Sequence, residues 1–286
     1  MKLLSIISRL LRVKQWVKNF LIFAAPIGAG VAPSISAIEI GALGFISFSL
    51  SASAIYVLND FRDRHLDREH PQKKLRPIAS GLVSAKISIP ISTFLFMVSL
   101  LTVWDFGPEA TLTISCYLLI NILYTFRLKT FPVLELGIVA SGYSLRILFG
   151  AQIFGLVASS WLMISTFAAA FGVIAAKRRS ELNDAKRSES SKRKVLDSYS
   201  STALQATSTL AFGTAFTTYS LWLFEHSVGL QILPLFCEIL ALVIFTFLLI
   251  ESDRGELESP EDLLNSVNFM SIFGIFAVLN LVLLYI

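Results

Sequence analysis

Nine stretches of this sequence run for about 18 to 23 residues almost without charge, the length a helix needs to cross a bilayer. They lie at 20–37, 41–59, 87–105, 108–126, 132–154, 158–176, 203–224, 229–250 and 266–285. Lipid offers no partner to backbone N–H and C=O groups, so runs of this kind fold as helices whose bonds close within the segment. Charged residues make up 15% of the chain, against about 25% in a soluble domain, and the mean hydropathy is +0.70. The expectation is an all-α integral membrane protein, a nine-transmembrane-helix bundle forming one transmembrane domain over 1–286. No length remains for a separate soluble domain. Cys116 and Cys237 fall inside spans without metal-ligand spacing and read as small buried hydrophobes.

Charge placement orients the bundle. With Met1 inside, 23 of the 24 Lys and Arg fall in inner segments, and the exception, Arg146, lies within the fifth span. The positive-inside rule then gives a cytoplasmic N-terminus and an outer C-terminus. The expected location is the cell (inner) membrane, multi-pass, with the working face toward the cytoplasm. Residues 1–19 are basic, with apolar positions Leu3, Ile6, Ile7, Leu10, Val13 and Val17 at helical spacing. They read as an amphipathic helix on the membrane surface, without a cleavage site. Anionic headgroups and phosphorylated substrates suit this basic surface; nucleic acid does not, since no soluble domain presents it.

The chemistry concentrates at 59–86, a cytoplasmic Asp-rich cap after the second span. Asn59, Asp60, Asp63 and Asp67 fall within an arc of roughly 100° on a helix, which stops at His70-Pro71. Three like charges on one face repel unless a cation sits between them, and hard oxygen ligands shared with a phosphate suit Mg²⁺. The bland alternative is a solvated segment whose acids pair with nearby Arg and Lys. Lys73 and Arg76 follow directly and would neutralise phosphate oxygens that a metal leaves over.

Four further clusters lie on the same side. Lys14, Trp16, Lys18 and Asn19 read equally as an interfacial anchor or as a site in which Lys18 and Asn19 bind phosphate. Tyr124 and Lys129 close the fourth span. Lys177, Arg178 and Glu181 close the sixth, and their spacing from the first acidic cluster suggests an internal repeat that brings Asp63 and Glu181 to one cavity. The segment 177–202 reads as a cytoplasmic loop, solvated over 186–194, and 251–262 as a solvated acidic loop. In the fifth span Glu135 and Arg146 share a face but lie ~16 Å apart along the axis, too far to pair; an ionisable group there is a site candidate by default. Arg146 either braces a neighbouring helix or lines a cavity.

These residues resemble a known family. N-D-x-x-D-x-x-x-D at 59–67 resembles the first aspartate-rich motif of the UbiA-type intramembrane prenyltransferases. The longer string N-D-F-R-D-R-H-L-D-R-E-H-P-Q-K-K-L-R-P-I-A-S-G resembles the decaprenyl-phosphate phosphoribosyltransferases, which make precursors of arabinose-containing cell-wall glycans. K-Q-W-V-K-N, Y-T-F-R-L-K, S-G-Y-S-L-R-I-L-F-G and K-R-R-S-E-L look like the same branch. The likeness runs from Lys14 to about residue 184. One departure stands out: the family carries a second D-x-x-x-D after the sixth span, and here that place holds K-R-R-S-E, with fewer acids and more cations. That fits a donor with an additional phosphate.

The resemblance implies an Mg²⁺-dependent enzyme that moves 5-phosphoribose from phosphoribosyl diphosphate to a polyprenyl phosphate. Asn59, Asp60, Asp63 and Asp67 would hold the metal, joined in catalysis by Glu181. Lys14, Lys18, Asn19, Lys73, Arg76, Tyr124, Lys129, Arg146, Lys177 and Arg178 would bind substrate. Expected partners are the two substrates and the membrane, with a homo-oligomer as an option. The alternatives are a prenyltransferase acting on an aromatic acceptor, a cation transporter or channel, and a non-catalytic subunit of an envelope complex.

Overall fold

A computed structural model of the chain describes residues 3–70, 72–188, 194–227, 230, 232–254 and 266–285, with the backbone alone at 184–188 and 194. Among the described residues all regular structure is helical. The elements are α1 (Leu3–Leu10), a 3₁₀ segment (Val13–Phe23), α2 (Ala24–Gly28), α3 (Ile35–Glu69), α4 (Ala85–Trp104), α5 (Pro108–Phe126), α6 (Leu134–Ile153), α7 (Ser160–Ser188), α8 (Ser201–His226), α9 (Ile232–Arg254) and α10 (Val267–Tyr285). Seven of them, α3 to α7 with α9 and α10, are long and apolar enough to cross a bilayer. Helix α8 has 26 residues but is rich in Ser and Thr. Thr207, Thr214, Thr217 and Thr218 each donate to the carbonyl four residues back, which satisfies the hydroxyls within the helix itself.

The chain divides into two compact units, where a single domain was expected. Unit 1 comprises 1–25, 32–131 and 145–157; unit 2 comprises 26–31, 132–144 and 158–286. Helix α6 contributes to both.

Three expected boundaries move. The first span, 20–37, is not one helix: the 3₁₀ segment and α2 end at Gly28, Gly30 turns the chain at φ 66, and α3 begins at Ile35. Ser34 caps α3 by accepting from the Ala37 N–H at 3.1 Å, the ordinary N-cap role of serine. Helix α3 then runs 35 residues without interruption and carries the acidic face on its last turns. The surface helix expected over 1–19 stops at Leu10, because Arg12 takes the left-handed conformation at φ 52. The expected loop from 177 is helical as far as Ser188; residues 189–193 lie outside the described part.

In unit 1, Ile22, Phe48, Ile55, Ile114, Tyr117, Phe149 and Ile153 form the main core. A polar seam joins α3 to α4: Ser47 donates to Thr102 at 2.8 Å, Ser51 pairs with Ser99, and Ser92 donates to the Ala54 carbonyl at 2.8 Å. Small hydroxyl side chains let helices approach closely in lipid and bond across the gap.

The 3₁₀ segment packs on α3 in matched steps. Trp16 Nε1 donates to Ser53 at 3.1 Å, and Asn19 Nδ2 donates to Ser49 at 2.8 Å. Three residues of 3₁₀ helix rise about 6 Å, and so do four residues of α-helix. Side chains three apart on the segment therefore meet side chains four apart on α3. This commensurate pairing accounts for eleven residues of 3₁₀ helix, where runs beyond about four are uncommon.

In unit 2, α7 packs along α8 and α9. One core gathers Leu136, Ala140, Ile174, Leu182, Leu196 and Leu204; another gathers Tyr219, Trp222, Cys237 and Leu283. Cys116 and Cys237 are free. The acidic segment expected to be solvated from 251 begins inside α9, where Glu251 is buried and bonded by Arg254 at 3.0 Å. Residues 255–262 lie outside the described part.

Candidate active site

The acidic face forms as the spacing predicts, on the last three turns of α3, and the fold surrounds it with cations from three other segments of unit 1. Asp60 is 1% exposed. Its Oδ1 accepts from Arg12 and, at 3.2 Å, from Arg76 Nη1. Arg76 also reaches Asp67 Oδ2 at 2.7 Å, and Lys129 pairs with Asp63. Asn59 Oδ1 accepts from Thr125 Oγ1 at 2.5 Å. Three carboxylates thus face three cations, in pairs that join residues 9 to 66 apart in sequence.

Local structure explains how the cations arrive. Arg76 stands just after the short 3₁₀ turn Lys73–Leu75, whose backbone folds the cap back along α3. Ile78 of the cap buries with Leu10, Ala54, Val57 and Leu95. Leu10 is the last residue of α1, and Arg9 donates to the Leu75 carbonyl. The left-handed turn then delivers Arg12 to Asp60, with its guanidinium 5.1 Å from the centre of the Tyr56 ring. Lys129 comes from the turn that ends α5.

The donor set suits a hard cation bridging to phosphate. Asp60 Oδ2 is buried and has no hydrogen-bond partner among the described residues; its lone pair is one a divalent ion would take. Among the described residues no three His, Cys, Asp or Glu side chains converge as a ready cage. Mg²⁺ does not need one, since it is ordinarily held by one or two carboxylates with the remaining ligands from substrate phosphate and water.

Two expected substrate ligands make bonds within the protein. Asn19 is fully buried; its amide nitrogen donates to Ser49 and its oxygen accepts from Arg146 Nε at 2.8 Å. Arg146, 4% exposed, stacks over Phe48 at 4.7 Å and Tyr117 at 5.4 Å. Of the two roles left open for Arg146, bracing is the one these contacts describe. Lys14 is exposed, while Lys18, Lys73 and Tyr124 are half-buried.

Unit 2 holds the second cluster. Glu135, wholly buried, takes Arg178 in a bidentate pair, Nε to Oε1 at 2.7 Å and Nη2 to Oε2 at 2.9 Å. Arg178 Nη1 also donates to Glu181 at 3.1 Å. Arg178, an expected substrate ligand, forms a buried bridge between two carboxylates. Lys177 is half-buried. Arg179 leaves the cluster and bonds Asp253 at 2.8 Å.

Sequence reasoning missed Arg12, Thr125 and the Glu135–Arg178 pair. Arg12 carried no signal, since the apolar spacing from Leu3 to Val17 runs through it in one helical phase. Thr125 carried none.

The sequence profile described as the UbiA prenyltransferase family matches residues 20–273. The chain is 37% identical over 225 residues to the decaprenyl-phosphate phosphoribosyltransferase of Mycobacterium tuberculosis, covering 77% of this chain and 74% of that one. It is 35% identical over 223 residues to the enzyme of the same name from Corynebacterium glutamicum, covering 76% and 67%. Among solved structures, it superposes on a UbiA homologue from Archaeoglobus fulgidus bound to GPP and Mg²⁺ with a TM-score of 0.72 at 18% identity, covering 98% of this chain and 99% of that one. A digeranylgeranylglyceryl phosphate synthase gives 0.71 at 19% identity, with 100% and 99% covered.

Proposed function

The chain belongs to the UbiA prenyltransferase family, and from that premise we propose that it transfers 5-phosphoribose from phosphoribosyl diphosphate to a polyprenyl phosphate, releasing diphosphate. The observation that carries the reading is the similarity, at 37% identity over most of both chains, to a decaprenyl-phosphate phosphoribosyltransferase. The acid site supports it: a buried carboxylate with one oxygen to spare, ringed by guanidinium and ammonium groups, suits a diphosphate bridged by metal.

Asp60, Asp63 and Asp67 would hold Mg²⁺, with Asn59 oriented by Thr125. When bound, the ion supplies charge neutralisation to the departing diphosphate. Arg12 and Arg76 hold Asp60 in place through its Oδ1. Lys73, Lys129, Lys14 and Lys18 are assigned to phosphate oxygens and Tyr124 to the donor. A phosphate oxygen of the acceptor attacks C1 of the ribose as the bond from C1 to the diphosphate oxygen breaks. The acceptor phosphate is already anionic near neutral pH, so no strong base is needed. Alignment and leaving-group stabilisation carry the rate.

In the same reading the chain crosses the inner membrane nine times, N-terminus in the cytoplasm and C-terminus outside, with the acid site cytoplasmic. The 3₁₀ segment and α2 together rise about 30 Å, one hydrocarbon thickness, despite being short. Helix α8 supplies another crossing, its hydroxyls bonded internally.

The test is purified protein with labelled phosphoribosyl diphosphate and polyprenyl phosphate, set beside a prenyl diphosphate with hydroxybenzoate. Lipid-linked phosphoribose in the first reaction supports the proposal. Product in the second alone refutes it.

A further inference from the structure

We infer that Arg146 is a positioning residue for the acid site, acting through Asn19 and the 3₁₀ segment and touching neither substrate. The inference rests on the activity proposed above. Depth decides against a ligand role. Phe48, under the Arg146 guanidinium, precedes Asp60 by twelve residues on α3, which is about 18 Å along the helix axis. A guanidinium and a diphosphate held at Asp60 do not bridge that gap.

Arg146 does hold the segment that carries Arg12. Arg146 and Gly150 are four apart on α6; Asn19 and Ile22 are three apart on the 3₁₀ segment. Both steps rise about 6 Å, so the two pairs meet level for level. Arg146 bonds Asn19, and a Cβ on Gly150 would lie 1.9 Å from the Ile22 carbonyl oxygen. This combination, a bonding arginine above a bare backbone, acts with the Ser49 and Ser53 bonds from α3 to seat the segment at this height.

The seat matters because 3₁₀ helix is longer per residue than α-helix. Rewinding Val13 to Asn19 as α-helix would shorten that stretch by about 3 Å. A hydrogen bond does not survive a displacement of that size. Arg12 has no slack to absorb it, since its backbone already occupies the left-handed region at φ 52, which L residues enter at a cost. Loss of the Arg146 hold therefore withdraws Arg12 from Asp60 and loosens donor binding, with no change at the acceptor.

The experiment compares Arg146→Gln, Arg146→Lys and Gly150→Ala with Thr102→Val, a control that removes a half-buried bond of the α3–α4 seam. For each full-length variant, KM is measured separately for phosphoribosyl diphosphate and polyprenyl phosphate. Spin labels at Val17→Cys and His65→Cys, both exposed positions, report the height of the segment after Cys116 and Cys237 are replaced by alanine. The expected result is a donor KM raised roughly tenfold in Arg146→Gln, as for loss of one charge-assisted hydrogen bond, with acceptor KM unchanged and a label distance changed by about 3 Å. Gly150→Ala gives the same pattern, Arg146→Lys recovers part of it, and Thr102→Val shows none.

A rise in acceptor KM alone would make Arg146 an acceptor ligand and overturn the inference. An unchanged label distance in both Arg146→Gln and Gly150→Ala overturns it too. The distance measurement needs no turnover, so it still decides if the proposed activity itself proves absent.

Discussion

Glu135→Gln perturbs the most deeply buried ion pair in unit 2. Its side chain is 1% exposed and that of Arg178 is 4% exposed, so solvent screens little. Glutamine keeps the shape and offers one acceptor oxygen, but its NH₂ then faces an arginine N–H. One charge-assisted bond is lost, worth about 1.5–3 kcal/mol. Removing one partner of a buried pair costs about 3–5 kcal/mol where the remaining charge has no other counter-ion. Here Glu181 stays bonded to Arg178 at 3.1 Å, so the expected cost is about 2–4 kcal/mol. At about 2–4 °C per kcal/mol for a chain of this size, the thermal midpoint in detergent should fall by roughly 5–15 °C. A thermal-shift assay on purified protein reads this directly. The double variant Glu135→Gln/Arg178→Met removes both charges and should regain most of the loss. A midpoint within about 2 °C of wild type for the single variant, or a double variant no better than the single, refutes the reasoning.

Asp63→Asn should abolish turnover yet leave the thermal midpoint nearly unchanged, because its pair with Lys129 is about 30% exposed and exposed pairs contribute under about 1 kcal/mol; full activity would remove Asp63 from the site. Thr125→Val frees the Asn59 oxygen and should lower metal affinity about tenfold at most, read as the Mg²⁺ concentration for half-maximal rate. Chelation with EDTA should stop transfer and added Mg²⁺ should restore it; activity undiminished in chelator would remove the metal from the mechanism.

Much of this protein is local chemistry and was legible in one dimension. The helical state of the apolar runs follows from backbone hydrogen bonding in lipid, and the acidic face of α3 from a spacing of three and four residues. The helix stop at His70 follows from the proline after it. The K-R-R-S-E departure flagged Arg178 and Glu181 as unusual. What it did not reveal was that Glu135, more than forty residues earlier, is the partner that Arg178 was waiting for. Glu135 and Arg146 share a helix face, and each bonds to a different segment.

The stretch 20–37 is not one α-helix for a physical reason. A sequence window cannot distinguish α from 3₁₀ helix when the choice is made by the neighbour. Residues 13–23 have an apolar content that either helix accepts. The 6 Å match to Ser49 and Ser53 on α3, and to Arg146 and Gly150 on α6, selects the longer form.

From its sequence alone the chain was committed to membrane helices, to an acidic face on one of them, and to a basic side, because hydropathy, helical spacing and charge are properties of neighbouring residues. Only the tertiary structure chose which cation meets which carboxylate, placing Arg12, Arg76 and Lys129 on Asp60, Asp67 and Asp63. Those partners lie between 9 and 66 residues away, and a pairing over such separations exists only once packing has closed the loops between them.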